Sequence, residues 1–236
     1  MAKLSELEHE SYYNSNGDEI PSITTILKLL NKPELMDWAN AMGRIGKNHK
    51  DISEYSAQIG TYSHYIIERI SKKKILHHKG MYEDLSDKQI KCVKNCVNAF
   101  KEWKKDREPI FVESELRIQN EKVGGTLDCI CDIDFERYLI DFKTSKKIYP
   151  SYFIQLAGYN YLYRTVLKKP LNKVGVLLLD KKKAQYNFKY TDISYLEEKY
   201  EPIFLLLLDL YYDWKEVLEN DWNEKLFKWW RKDIET

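Results

Sequence analysis

The sequence carries almost no net charge: 38 lysines and arginines stand against 37 aspartates and glutamates, a formal balance of +1 over 236 residues. Whole-molecule charge therefore neither announces nor excludes a polyanionic partner, and any surface that meets one must be a local patch offset elsewhere. Long apolar runs are missing too. The longest in the C-terminal part, Ile203 to Leu208, falls far below the ~20 residues of a membrane span. No signal-peptide pattern opens the chain, so a cytosolic protein without a membrane partner is expected. Cysteine is scarce, and Cys92, Cys96, Cys129 and Cys131 are spaced C-x₃-C and C-x-C, without the C-x₂-C pairs typical of zinc sites. Internal repeats and low-complexity linkers are absent. A composition of 43% hydrophobic and 32% charged residues is that of an ordinary globular protein, long enough to bury a core. One domain over residues 1–236 is expected, with disorder only at the ends.

What the chain does have is a run of chemistry from Gly124 to Tyr163, GGTLDCICDIDFERYLIDFKTSKKIYPSYFIQLAGYNYLY. If Leu127 to Ile133 is extended, period-two alternation puts Asp128, Ile130 and Asp132 on one face and Cys129, Cys131 and Ile133 on the other. A second strand, Tyr138 to Thr144, places Asp141 and Lys143 together. Asp134 to Arg137 is short enough for a hairpin connection, so Asp128 can meet the Asp141/Lys143 pair across adjacent strands. Carboxylates brought together repel unless a proton or a cation intervenes, and oxygen ligands of this kind suit Mg²⁺ or Mn²⁺.

The order Asp128, Asp141-Phe142-Lys143, then Gln155 and Tyr159 on a following helix resembles the PD-(D/E)XK nuclease superfamily in its RecB-like exonuclease branch, of phage and prokaryotic type. The resemblance extends upstream to GTYSHYIIE, with Gly60, His64 and Glu68 at i, i+4 and i+8 of a helix, and to PSITTILKLLNKPELMDWA near the start. It covers roughly residues 20 to 180. A lone D-x-K would be weak; four motifs in order are stronger. The resemblance implies metal ligation by His64, Asp128, Asp141 and the Phe142 backbone carbonyl. It also implies a further acidic residue near the start of the strand FVESELRI. Glu113 is favoured there, although Glu115 shares its face in an extended strand. Some members of the branch bind an iron–sulfur cluster through one early and several late cysteines; with no cysteine after Cys131, no iron–sulfur cluster is expected here.

The expected architecture is α/β, a central mixed β-sheet flanked by helices with the restriction-endonuclease-like order αβββαβ. A helical N-terminal part covers about 20–107, a catalytic core about 108–191 and C-terminal helices about 192–236. SITTILKLL reads as a short helix capped by Ser22 or a nearby hydroxyl. Pro33 opens a second helix through Trp38 and Met42. Residues 86–107 form an amphipathic helix on Ile90, Val93, Val97, Phe100 and Trp103. Pro150 starts the helix that carries Gln155 and Tyr159, and Val174 to Asp180 is a buried strand. Tyr186 to Tyr190 returns as an edge strand, and Ser194 with Glu197 offers a capping box for one long final helix through Leu218. His77 and His78 read as solvated. Trp222, Trp229 and Trp230 read as packing between C-terminal helices, with base stacking as the alternative.

Function follows from the resemblance: a metal-dependent DNA exonuclease that hydrolyses phosphodiester bonds during phage or mobile-element DNA recombination, repair or processing. Asp128, Asp141, Lys143, Gln155 and Tyr159 are the catalytic candidates, and Lys143 would position a water or help deprotonate it. Thr144, Ser145, Lys146 and Lys147 are suited to phosphate. Further basic candidates are Arg44, Lys47 and Lys50, and the Lys101, Lys104 and Lys105 run. A structure-selective endonuclease on the same site, a non-cleaving DNA-binding or assembly protein, and a metal enzyme acting on a small substrate remain the alternatives.

Overall fold

The computed structural model describes residues 11–30, 33–74 and 82–221, the last three by backbone alone. His77, His78, Trp222, Trp229 and Trp230 lie outside the described residues. The chain opens with a small antiparallel ribbon, β1 (Tyr12–Tyr13) and β2 (Glu19–Ile20). The helical part follows: α1 (Ile23–Ile26), α2 (Pro33–Arg44), α3 (His49–Ser71) and α4 (Asp87–Arg107). Polar caps explain where these helices begin. Ser22 accepts from the Thr25 amide, Asn48 from Lys50, and Ser86 and Gln89 form a reciprocal capping box.

The sheet contains β3 (Ile110–Gln119), β4 (Gly124–Ile133), β5 (Glu136–Lys143), β6 (Lys173–Leu179) and β7 (Tyr186–Asp192), in spatial order β3-β4-β5-β6-β7. Neighbours are antiparallel except β5 and β6. That parallel pair needs a crossover, and α5 (Pro150–Leu162) supplies it. The β4–β5 hairpin closes through only Asp134 and Phe135, both at positive φ (50° and 64°), as a two-residue turn matched to strand twist demands. The sequence α4-β3-β4-β5-α5-β6 reproduces the αβββαβ order. No helix among the described residues is long and apolar enough to cross a membrane.

Two cores flank the sheet. On one side α1, α5, α6 (Ile193–Lys199) and α7 (Glu201–Asp221) pack around Ile23, Ile130, Leu139, Leu156 and Phe204. On the other, α3 and α4 bury Ile67, Phe100 and Trp103 against Cys129, Cys131 and Phe142. The alternation of β4 is therefore as expected, with Ile130 on one side and the two cysteines on the other.

The C-terminal helix departs from expectation. Ser194 caps nothing: α6 starts after Asp192 and stops at Tyr200, and α7 begins afresh with Pro202 in its first turn. Proline has no N–H to continue a helical ladder and favours a first turn. Glu197 instead accepts from Arg164 Nη1 at 2.8 Å, while Arg164 Nη2 donates to Glu201 at 2.6 Å, which ties both helices to the end of α5.

The N-terminal ribbon is clamped onto β4. The Gly124 amide donates to the Pro21 carbonyl at 3.0 Å, the Tyr12 hydroxyl lies 2.9 Å from Thr126 Oγ1, and the Arg117 guanidinium sits 3.9 Å from the centre of the Tyr12 ring. A Cβ at Gly124 would run into that ring. Gly124→Ala should cost about 1–3 kcal/mol by overpacking and expose residues 11–20 to protease. Urea unfolding and limited proteolysis test this; an unchanged midpoint with an unchanged digestion pattern would show that the ribbon is not clamped here.

Candidate metal centre

Strand register brings three carboxylates into one row. Ser114 stands opposite Cys129 and Leu116 opposite Leu127, so Glu115 faces Asp128; Cys129 stands opposite Ile140, and the same register carried one residue further puts Asp128 beside Asp141. From the second layer, α3 delivers His64, whose Nδ1 is 3.4 Å from Asp128 Oδ1. One ligand atom from each of His64, Glu115 and Asp128 lies within 4.8 Å of the others. Phe142 donates its amide to Asp128 Oδ2 at 2.7 Å. Lys143 Nζ donates to Asp141 Oδ1 at 2.9 Å and lies 2.8 Å from Oδ2, so the ammonium is paired with the whole carboxylate.

These groups are largely withdrawn from water, Asp128 at 9% and Asp141 at 2% exposure, and their acidities respond. Burial and the neighbouring Asp128 charge push Glu115 up to about 8. Burial likewise pushes Asp141 to about 6 although Lys143 opposes it. For His64 burial alone would lower the pKa, but the charge and hydrogen bond of Asp128 win and carry it to about 9. Burial works against ionisation of Asp128, yet His64, Lys143 and the Phe142 amide hold it below the usual carboxylate range. Lys143 is raised: its burial is outweighed by Asp141 and Asp128. Repulsion among the acids is thus met by an imidazolium, an ammonium and a proton.

A divalent cation fits this donor set. It combines hard carboxylate oxygens with one imidazole nitrogen, with the Asp141 carboxylate beside them.

Glu115, rather than Glu113, is the acid that reaches His64 and Asp128. Glu113 stands opposite Ile130, past a register shift between Phe111 and Glu113, two residues and roughly 7 Å further along the strand. Glu115 itself takes φ 51°, a left-handed conformation uncommon for a residue with a side chain. Gln155 Nε2 donates to the Tyr159 hydroxyl at 2.9 Å, both buried beside the cleft. Glu68 pairs with Lys72 at 2.7 Å. Thr144 abuts α3 at Gly60, and the Ser145 hydroxyl is committed to the Lys147 carbonyl at 2.8 Å. Lys146 and Lys147 are exposed, and with Arg44, Lys47, Lys50, Lys101, Lys104 and Lys105 they stand outside the cleft lining.

The cleft above the acids measures about 1170 Å³. The N-terminal ribbon and α1 form one wall, through Tyr12, Ser22, Thr25 and Lys28, and α3 forms another, through Gln58, Gly60, Thr61 and Tyr65. Of the residues that sequence reasoning missed, Lys28, just after α1, carries no local signal, whereas Thr126 stands two residues before Asp128 on the same strand, where alternation alone places it on the same face.

No family model matches the chain, and no curated protein matches it. Among solved structures, the crystal structure of LHK-Exo in complex with dAMP is similar at 13% identity and TM-score 0.33, over 66% of this chain and 82% of that one.

The acidities set a pH dependence. Glu115 and His64 bind protons more tightly folded than unfolded, so their contribution to stability is complete at low pH. It is lost as pH rises from about 4.5 through about 8 for Glu115, and from about 6.5 through about 9 for His64. In EDTA the melting midpoint should fall between pH 6 and pH 9, and Glu115→Gln should flatten the fall. Mn²⁺ should raise the midpoint more at pH 8.5 than at pH 6, because ligands must lose protons to bind it. A midpoint in EDTA independent of pH over this range would contradict the charge arrangement.

Proposed function

We propose that the protein is a metal-dependent nuclease that hydrolyses phosphodiester bonds of DNA, most simply as an exonuclease. The observation that carries this reading is the convergence of Glu115, Asp128, Asp141, His64 and Lys143 in one open cleft. The repulsive acid cluster argues against a protein that only binds DNA. The resemblance in motif order to RecB-like exonucleases supports action from a free end.

His64, Glu115, Asp128 and Asp141 would hold Mg²⁺ or Mn²⁺, with the Phe142 carbonyl as a further candidate oxygen. When bound, such an ion acidifies water and offsets charge on phosphate oxygens. The rest falls to the chain's own groups. Lys143, with a raised pKa and 20% side-chain exposure, keeps its proton at neutral pH and donates to a phosphate oxygen as negative charge grows there, rather than acting as a base. Because Tyr159 accepts from Gln155, its own O–H remains available to a water or a phosphate oxygen, and the pair holds that donor in place.

Digestion of end-labelled linear and covalently closed DNA, single- and double-stranded, with Mg²⁺, Mn²⁺ or EDTA tests the reading. Metal-dependent loss of linear DNA alone is expected. Lys143→Ala should lower cleavage by roughly 10²–10³-fold while binding persists, and Asp141→Asn should also abolish the Mn²⁺-induced rise in melting midpoint. Cutting of closed circles would favour an endonuclease on the same site. DNA binding without cleavage of any substrate would overturn the catalytic reading.

A further inference from the structure

Tyr152 is a half-buried side chain of α5 to which the chemistry above gives no task. It precedes Gln155 by one turn and Tyr159 by two, at i, i+3 and i+7, so the three share one stripe of the helix. Gln155 and Tyr159 line the cleft, whereas Tyr152 does not. Its contact with the site is through Lys143, whose Nζ lies 5.1 Å from the centre of the Tyr152 ring. That is inside the ~6 Å over which an aromatic face attracts an ammonium. The same Nζ is paired with the Asp141 carboxylate at 2.8 Å. Lys143 is therefore held by a carboxylate and a ring at once, and it also lines the cleft.

The ring is itself fixed in place. Tyr149 packs against it edge-on, with 5.6 Å between centres and 84° between planes, and the Tyr152 hydroxyl neighbours that of Ser145. Tyr149 does not compete for Lys143, because Lys147 Nζ occupies its face at 5.0 Å. A lysine needs such a guide: its ammonium is a point charge on a flexible four-carbon stem, with none of the planar fork that aims an arginine. Pairing with Asp141 alone leaves the ammonium free to swing about that contact. A second contact removes the swing.

We infer that Tyr152 is the positioning residue of Lys143: its ring face steadies the ammonium against Asp141, so that the remaining donor points into the cleft where a phosphate oxygen would stand. The inference rests on the nuclease reading and adds how the lysine is aimed. It requires the π face and not the hydroxyl, so phenylalanine serves and leucine does not.

The test compares wild type, Tyr152→Phe and Tyr152→Leu, each with and without Lys143→Ala. Two quantities are measured: kcat and KM for Mn²⁺-dependent cleavage of a labelled oligonucleotide, and the NMR signals of lysine ε-methylene groups in carbon-13-labelled protein in EDTA. Tyr152→Leu should lower kcat by roughly 10-fold with KM unchanged, as expected when the lost contact matters only in the transition state. Tyr152→Phe should recover most of that loss. Without Lys143, Tyr152→Leu should change the residual rate by less than about 2-fold. The Lys143 signal, identified by its absence from Lys143→Ala, should be shifted upfield by the ring in wild type and Tyr152→Phe but not in Tyr152→Leu. A loss that persists at full size without Lys143 would give Tyr152 a packing role, and an equal loss in Tyr152→Phe would give the role to its hydroxyl; either overturns the inference. If wild type cuts nothing, the nuclease reading falls and the NMR shift decides separately: its presence upholds the placement of Lys143 by the ring, and its absence overturns it.

Discussion

Three carboxylates on adjacent strands cannot share one end of a sheet unless positive charge or protons hold them there. Much of the site's architecture answers that demand. α3 sets His64 against Asp128, Lys143 reaches back to the acid two residues before it, and the Phe142 amide closes on Asp128 Oδ2. Burial sharpens the demand, since an unpaired ion withdrawn from water costs several kcal/mol. The aromatic packing beneath makes the arrangement stiff: Phe142 is held edge-on between Phe100 at 5.6 Å and His64 at 6.0 Å between ring centres. The group that balances Asp128 and the core residue that donates to it are thus positioned by the same ring.

The cleft has a second origin. Its acidic base belongs to the sheet, but its near wall is the N-terminal ribbon, fixed by the Tyr12 hydroxyl to Thr126 across 114 residues of sequence. Site and wall are therefore coupled through β4, the strand that carries Asp128 at one point and receives the ribbon at Gly124 and Thr126. The opposite wall is the helix that supplies His64. Charge balance and cleft shape consequently depend on the same two elements, β4 and α3.

Several site residues could be placed from the sequence because their contacts are local. Asp128, Asp141 and Lys143 lie on strands joined by a two-residue turn, so alternation and turn length suffice to bring them together. Pro150 and the turn spacing of Gln155 and Tyr159 placed that pair for the same reason. The choice between Glu113 and Glu115 could not be made this way. It depends on the register of β3 against β4, a shift at Phe111 and Glu113, and the left-handed backbone at Glu115, none of which has a period. The split of the C-terminal helix was hidden by apolar periodicity that continues through Tyr200, although Pro202 was visible.

Local pattern thus dictates the helices, the strands, their hairpin and the core of the acid–lysine site, because hydrophobic period, caps and turn chemistry act over a few residues. Packing alone set Glu115, rather than Glu113, beside His64 and Asp128 and made the ribbon a wall of the cleft. Those contacts join segments far apart in the chain, and their free energy comes from burial and charge balance that exist only once both layers have closed on the sheet.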